Sequence, residues 1–138
     1  MKFTHGKASK ATLITLASIA IFIVLAILFL PTGFSNDVSK IGKGSKVVVL
    51  AYNNGTTNSK DMMDLLEKIR GSYTDKIQFL AVSVGAPIGK KFLRDYSVRQ
   101  STLVLFRGDG SVAKTMLASK DNEAILQQVL DDFVLTNN

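Results

Sequence analysis

Hydrophobic and polar positions divide the chain into one long apolar block and a series of short ones. Residues 11–30 (ATLITLASIAIFIVLAILFL) run for 20 positions without a charge. At 1.5 Å per helical residue the block spans about 30 Å, the thickness of a hydrocarbon core. Pro31 and Gly33 close it. The reading it favours is a single, uncleaved transmembrane helix. A cleaved signal peptide competes, but its apolar region usually covers about 7–15 residues before a small-x-small cleavage site. Thr32-x-Phe34 and Gly33-x-Ser35 match that site poorly. A buried soluble helix is the third alternative. Ala11, Thr15 and Ser18 fall at i, i+4 and i+7 of the block. They form either a small-residue face for helix packing in lipid or ordinary scatter.

After the block the pattern shortens. Residues 31–46 are rich in Gly, Ser and Asn and read as a linker. Val47–Tyr52 is a continuous apolar run suited to a strand buried on both faces. Asn53-Asn54-Gly55 signals a turn. A helix follows, with Asn58 or Ser59 expected as N-cap and Asp61 and Asp64 in its first turns. Met62, Leu65, Leu66 and Ile69 mark its buried face, and Gly71 and Ser72 its end. Residues 77–84 predict a second strand, with Gly85, Pro87 and Gly89 breaking the chain after it. A short helix is expected over 90–96, with Phe92, Leu93 and Tyr96 inward. Residues 102–106 predict a third strand. Arg107-Gly108-Asp109-Gly110 is a hairpin turn into a fourth strand over 111–117. A last helix is expected over 121–134. The order β-α-β-α-β-β-α implies an α/β domain over 47–135, with a mixed sheet flanked by helices.

Charge and composition change this picture in a few places. Lys2, Lys7 and Lys10 lie in a basic tail, residues 1–10, whereas residues 31–39 hold no Lys or Arg. That bias predicts a cytoplasmic N-terminus and an extracytoplasmic C-terminal domain, periplasmic in a bacterium, on the inner or plasma membrane. Beyond the block, 14 Lys and Arg face 11 Asp and Glu, an ordinary surface with no basic stripe, so no nucleic-acid partner is expected. The chain has no cysteine, which excludes disulfides, thiolate catalysis and iron–sulfur clusters. Its one histidine, His5, is in the tail, so neither a Ser-His-Asp triad nor a multi-histidine metal site can form in the domain. No metal site, cofactor or catalytic residue is expected. Asp61 and Asp64 could pair as carboxylates, but acids at a helix start need no further role. Asn54-Gly55-Thr56 matches a glycosylation sequon, relevant only in a eukaryotic secretory setting.

The stretch Val47–Lys60 resembles the strand, W-C-G-P-C-K turn and helix of the thioredoxin family, aligned without a gap. Thr56 and Ser59 stand at the two cysteine positions and Lys60 at the lysine after them. Tyr96-Ser97-Val98-Arg99 resembles the family's Y-x-[IV]-[RQ], and Ser101–Phe106 its P-T-[LF]-x-x-F strand. The resemblance covers roughly residues 46–135 and implies a thioredoxin-like fold. It also marks what is missing. No thiol remains to exchange with a disulfide. Leu50 occupies the position of the family's buried acid. Ser101 occupies that of its cis-proline; a cis bond there without proline costs about 3–4 kcal/mol, so a trans peptide and a changed loop are expected. One residue is missing near Arg99-Gln100, and residues 34–46 leave little room for the family's first strand and helix.

The resemblance implies a redox-inactive binding or scaffold domain; with the apolar block as anchor, the expected role is a structural or interaction subunit of an integral-membrane protein complex. The alternative is a periplasmic peptide-binding or chaperone-like domain. There the loops carrying Tyr52, Asn53, Asn54, Thr56, Ser59, Gln100, Ser101 and Thr102, gathered at one end of the sheet in this fold, would hold an extended peptide. An enzyme is not expected.

Overall fold

The computed structural model describes residues 9–29 and 33–137, with the side chains of 27–29 outside that description. Most of the basic tail, His5, Leu30 and Pro31 lie outside the described residues. The chain divides into two compact units, Met1–Gly33 and Phe34–Asn138.

In the first unit, helix α1 runs over Lys10–Phe29. Ser9 caps it, its Oγ accepting from the Thr12 N–H at 3.2 Å. The described side chains are exposed on every face, among them Leu13, Ile14, Phe22 and Val24. Thr15 and Ser18 donate their hydroxyls to the carbonyls of Ala11 and Ile14, both at 2.9 Å. Neither hydroxyl therefore needs water or a neighbour. No helix is long and apolar enough to cross a membrane among the described residues. The uncharged block of the sequence continues past residue 26, where the described side chains of α1 stop.

Among the described residues the second unit holds four strands and three α-helices: β1 Lys46–Tyr52, α2 Thr57–Ile69, β2 Ile77–Ser83, α3 Pro87–Tyr96, β3 Thr102–Phe106, β4 Val112–Leu117 and α4 Lys120–Leu135. Their order is the one the hydrophobic pattern predicts. The sheet runs β2-β1-β3-β4. β1 and β2 are parallel, joined through α2; β1–β3 and β3–β4 are antiparallel. β1 is central, and Val47 through Ala51 are fully buried. Val48 and Leu50 face Met62 and Leu66 of α2 and Leu126, Leu130 and Phe133 of α4. Val47, Val49 and Ala51 face Phe92 of α3 on the other side. A strand buried on both faces cannot alternate, which is why its sequence is continuously apolar.

Several boundaries differ from expectation. Residues 34–45 are more than a linker: Ser35 bridges Leu80 in parallel, and a 3-10 turn over Val38–Lys40 is capped by Asp37. Val38 and Ile41 pack on the α3 side of the core. This single bridge and turn stand where a full first strand and helix had little room. Pro87 and Gly89 do not break the chain but lie in α3, with Pro87 in its first turn, where a missing N–H costs nothing. A Cβ on Gly89 would fall 1.8 Å from the Ser83 carbonyl oxygen, so glycine lets α3 close against the end of β2. Gly71 and Ser72 lie in a 3-10 turn that carries Tyr73 into the core. The Tyr73 hydroxyl donates to Asp131 Oδ1 at 2.6 Å; burial first, then this bond, push the phenol up to about 12.

β4 is an edge strand among the described residues. Two of its carbonyls are taken by side chains: Val112 O accepts from Arg107 Nη1 at 3.0 Å, and Leu117 O from Asn122 Nδ2 at 2.6 Å. Occupied edge carbonyls blunt pairing with other strands.

Candidate functional site

The corner between β1 and α2 gathers the eight loop residues singled out from sequence into one region with the start of β3; the side chain of Asn54 stays outside its hydrogen bonds. Tyr52 ends β1, half-buried. Thr56 is the N-cap of α2, in place of the expected Asn58 or Ser59. Its side chain does not cap the helix because Oγ1 donates to the Asn53 carbonyl at 3.1 Å. Ser59 lies inside the helix and is 1% exposed. Asp61 and Asp64 fall beyond the first turn, which holds no acid.

Ser101 completes the site. No cis peptide bond occurs among the described residues, and Ser101 has φ +58°, a left-handed backbone unusual for a side chain with a Cβ. This conformation sends its N–H to the Ala51 carbonyl (2.7 Å) while its own carbonyl accepts from the Ala118 N–H (2.7 Å). It also turns Oγ onto both degenerate positions, at 2.7 Å from Ser59 Oγ and 3.3 Å from Thr56 Oγ1.

The direction of each hydrogen bond follows from its neighbours. Thr56 donates to Asn53 O, so Ser101 donates to Thr56. Ser59 then donates to Ser101 and accepts from the Asn53 N–H at 3.0 Å. The result is a closed ring that leaves Asn53 at its N–H, passes through Ser59, Ser101 and Thr56, and returns to the Asn53 carbonyl. Each hydroxyl donates once and accepts once. None is left with a free proton for a base to take, and no histidine or carboxylate joins the ring. Leu50 of β1 is fully buried in the core.

A second contact ties the loops across the surface. Asn53 Nδ2 donates to Gln100 Oε1 at 2.8 Å, while Asn53 Oδ1 accepts from the Gly55 N–H at 2.8 Å. Thr102 is buried at the start of β3. Asn54 is exposed and outside this network. Asp61 and Asp64 do not act as a pair, since each is held by a different lysine. Lys120 lies 2.8 Å from Asp61 and lowers its pKa; Lys60 lies 2.9 Å from Asp64. Among the described residues no group of His, Asp or Glu is placed to hold a metal.

The ring makes a testable statement about the two degenerate positions. Both hydroxyls touch the same Ser101 oxygen, so two thiols placed there should be within reach of each other. The double variant Thr56→Cys/Ser59→Cys is expected to form an intramolecular disulfide on mild oxidation. Thiol counting on the intact chain reads this against no background, because the chain has no cysteine of its own. Two thiols that stay free under oxidant would mean that the corner holds these positions outside disulfide geometry.

No protein-family model matches the chain, and no curated protein matches it. Solved structures do. A chain from a study of the thiol-resolving mechanism of yeast mitochondrial 1-Cys peroxiredoxin, through the glutathione and thioredoxin systems, matches with a TM-score of 0.61 at 21% identity, over 74% of this chain and 97% of that one. Thioredoxin from Trypanosoma brucei brucei matches with a TM-score of 0.63 at 17% identity, over 77% and 94%. Oxidised mitochondrial thioredoxin 3 from Saccharomyces cerevisiae matches with a TM-score of 0.56 at 22% identity, over 66% and 81%. At these identities the likeness establishes a thioredoxin-like fold and nothing about activity.

Proposed function

We propose that the chain is a membrane-anchored, redox-inactive thioredoxin-like domain that serves as a structural or interaction subunit of a larger integral-membrane complex. The observation that carries this reading is the hydroxyl ring. Thr56, Ser59 and Ser101 use one another as partners, which favours holding the corner's shape over reacting. The Asn53–Gln100 bond supports the same reading against a peptide-binding domain, because it engages the amides best placed to grip an extended peptide. The anchor rests on the 20-residue uncharged block and on the exposed apolar side chains of α1. The lysines before the block favour a cytoplasmic N-terminus and an extracytoplasmic domain on the inner or plasma membrane.

The test is gentle solubilisation of native membranes, capture through a C-terminal tag, and mass spectrometry with stoichiometry. A constant set of integral-membrane partners is expected. Recovery of the chain alone, or with a shifting set of soluble clients, would move the reading to a peptide-binding domain. Recovery in the soluble fraction without detergent would remove the anchor.

A further inference from the structure

Asn54 lies in the turn between Asn53 and Gly55 but takes no part in the ring or in the Asn53–Gln100 bond. Its side chain is exposed and has no partner among the described residues. The next residue, Gly55, is also exposed and carries no side chain to crowd its backbone nitrogen. Asparagine followed by glycine is here the exposed centre of a turn closed by the Thr56 N–H on the Asn53 carbonyl at 3.1 Å, with the carboxamide one residue before a backbone nitrogen that no side chain of its own shields.

We propose that Asn54–Gly55 is a self-modifying site, at which asparagine converts to aspartate and isoaspartate without an enzyme. Gly55 N, once solvent base has removed its proton, attacks Asn54 Cγ. A new N–C bond closes a five-membered succinimide, and Asn54 Nδ2 takes up a proton and leaves as ammonia. Water then opens the ring at one of its two carbonyls. Breaking the bond between Gly55 N and Cγ restores the backbone and gives aspartate. Breaking the bond between Gly55 N and the main-chain carbonyl carbon gives isoaspartate, with the chain running through the former side chain. The net change is water in and ammonia out, with no oxidant or reductant.

Asn53 is the positioning residue that sets the rate. Its Oδ1 holds the Gly55 N–H at 2.8 Å, shielding the proton that must be lost and drawing that nitrogen towards its own carboxamide. The closed corner therefore slows the reaction, and opening it releases the brake. The product bears a carboxylate just before α2, whose first turn has no acid and whose N-cap side chain is turned away. Negative charge is favourable there. In the isoaspartate form the backbone leading to Thr56 is one atom longer, which disturbs the Thr56 arm of the ring.

The test ages the full-length chain in mild detergent at neutral and mildly alkaline pH, then maps peptides with fragmentation that separates isoaspartate from aspartate. The expected result is the small mass gain of amide-to-acid conversion at residue 54, with isoaspartate present, faster at higher pH and absent in Asn54→Gln. Asn53→Ala is expected to age several-fold faster. Asn53→Asp, which keeps an acceptor for the Gly55 N–H, should stay near the parent rate and controls for a loosened fold. If residue 54 remains asparagine throughout alkaline ageing, the site is overturned. If Asn53→Ala ages no faster than the parent, the role of Asn53 is overturned.

Discussion

Replacing Ser101 by proline will destabilise the domain by about 3 kcal/mol or more, although proline is what the resembling family carries there. Proline fixes φ near −65°, while Ser101 sits at +58°. It also removes the N–H that donates to the Ala51 carbonyl at 2.7 Å, leaving an acceptor of the buried central strand without that partner. Such an orphan costs about 1–3 kcal/mol on its own. The ring is cut as well, because Ser59 loses its acceptor and Thr56 its donor. Ser101→Gly separates these causes. Glycine keeps both the positive φ and the N–H, and its relief of left-handed strain offsets part of the lost hydroxyl, so it should lie within about 1 kcal/mol of the parent. Denaturant unfolding of the intact chain, followed by far-ultraviolet circular dichroism, reads both. A proline variant as stable as the parent would show that this loop moves freely to another backbone, and that the ring adds little to the fold.

What could be read from sequence here divides along the range of the interactions. The strands and helices follow from local periodicity: Val47–Tyr52 reads as a buried strand because every residue in it has a packed neighbour on one face or the other. The loss of thiol chemistry follows from composition alone. The ring does not follow from either. It depends on Ser101 taking a left-handed backbone, a conformation that no feature of Gln100-Ser101-Thr102 announces, and on Ser59 lying inside α2 rather than capping it. Asn53–Gln100 spans 47 positions, so its two ends could be named as site residues but not joined. Gly89 departs from its local pattern for the opposite reason. Glycine two residues after proline reads locally as a break, and only the approach of the Ser83 carbonyl shows why a helix has glycine at that position.

Lys46 is the largest departure of this kind, and its replacement by methionine should cost about 2–4 kcal/mol of stability. From sequence it is the last charge of a linker. In the structure it opens β1, is only 9% exposed, and sends Nζ to the far end of the chain. There it donates to the carbonyls of Phe133 and Val134 at 2.9 Å each and of Thr136 at 2.6 Å. These groups lie at and just past the end of α4, where the last carbonyls lack the next turn's N–H and the helix dipole favours a cation; Phe133 O also accepts from the Thr136 N–H and hydroxyl at 3.3 and 2.7 Å. The ammonium also lies 5.4 Å from the centre of the Phe133 ring. Methionine keeps the unbranched apolar stem of lysine as far as Cε but donates nothing, so the variant separates the three hydrogen bonds from most of the packing. The control is Lys91→Met. Lys91 pairs with Asp95 on the exposed face of α3, and such pairs are worth under about 1 kcal/mol. Unfolding midpoints of the two variants should therefore separate clearly. Amide exchange should locate the Lys46 effect in the last turn of α4, whose carbonyls this contact holds. Equal, small losses in both variants would mean that water satisfies those carbonyls as well as Lys46 does. The joining of β1 to the end of α4 would then rest on Phe133 and its apolar neighbours.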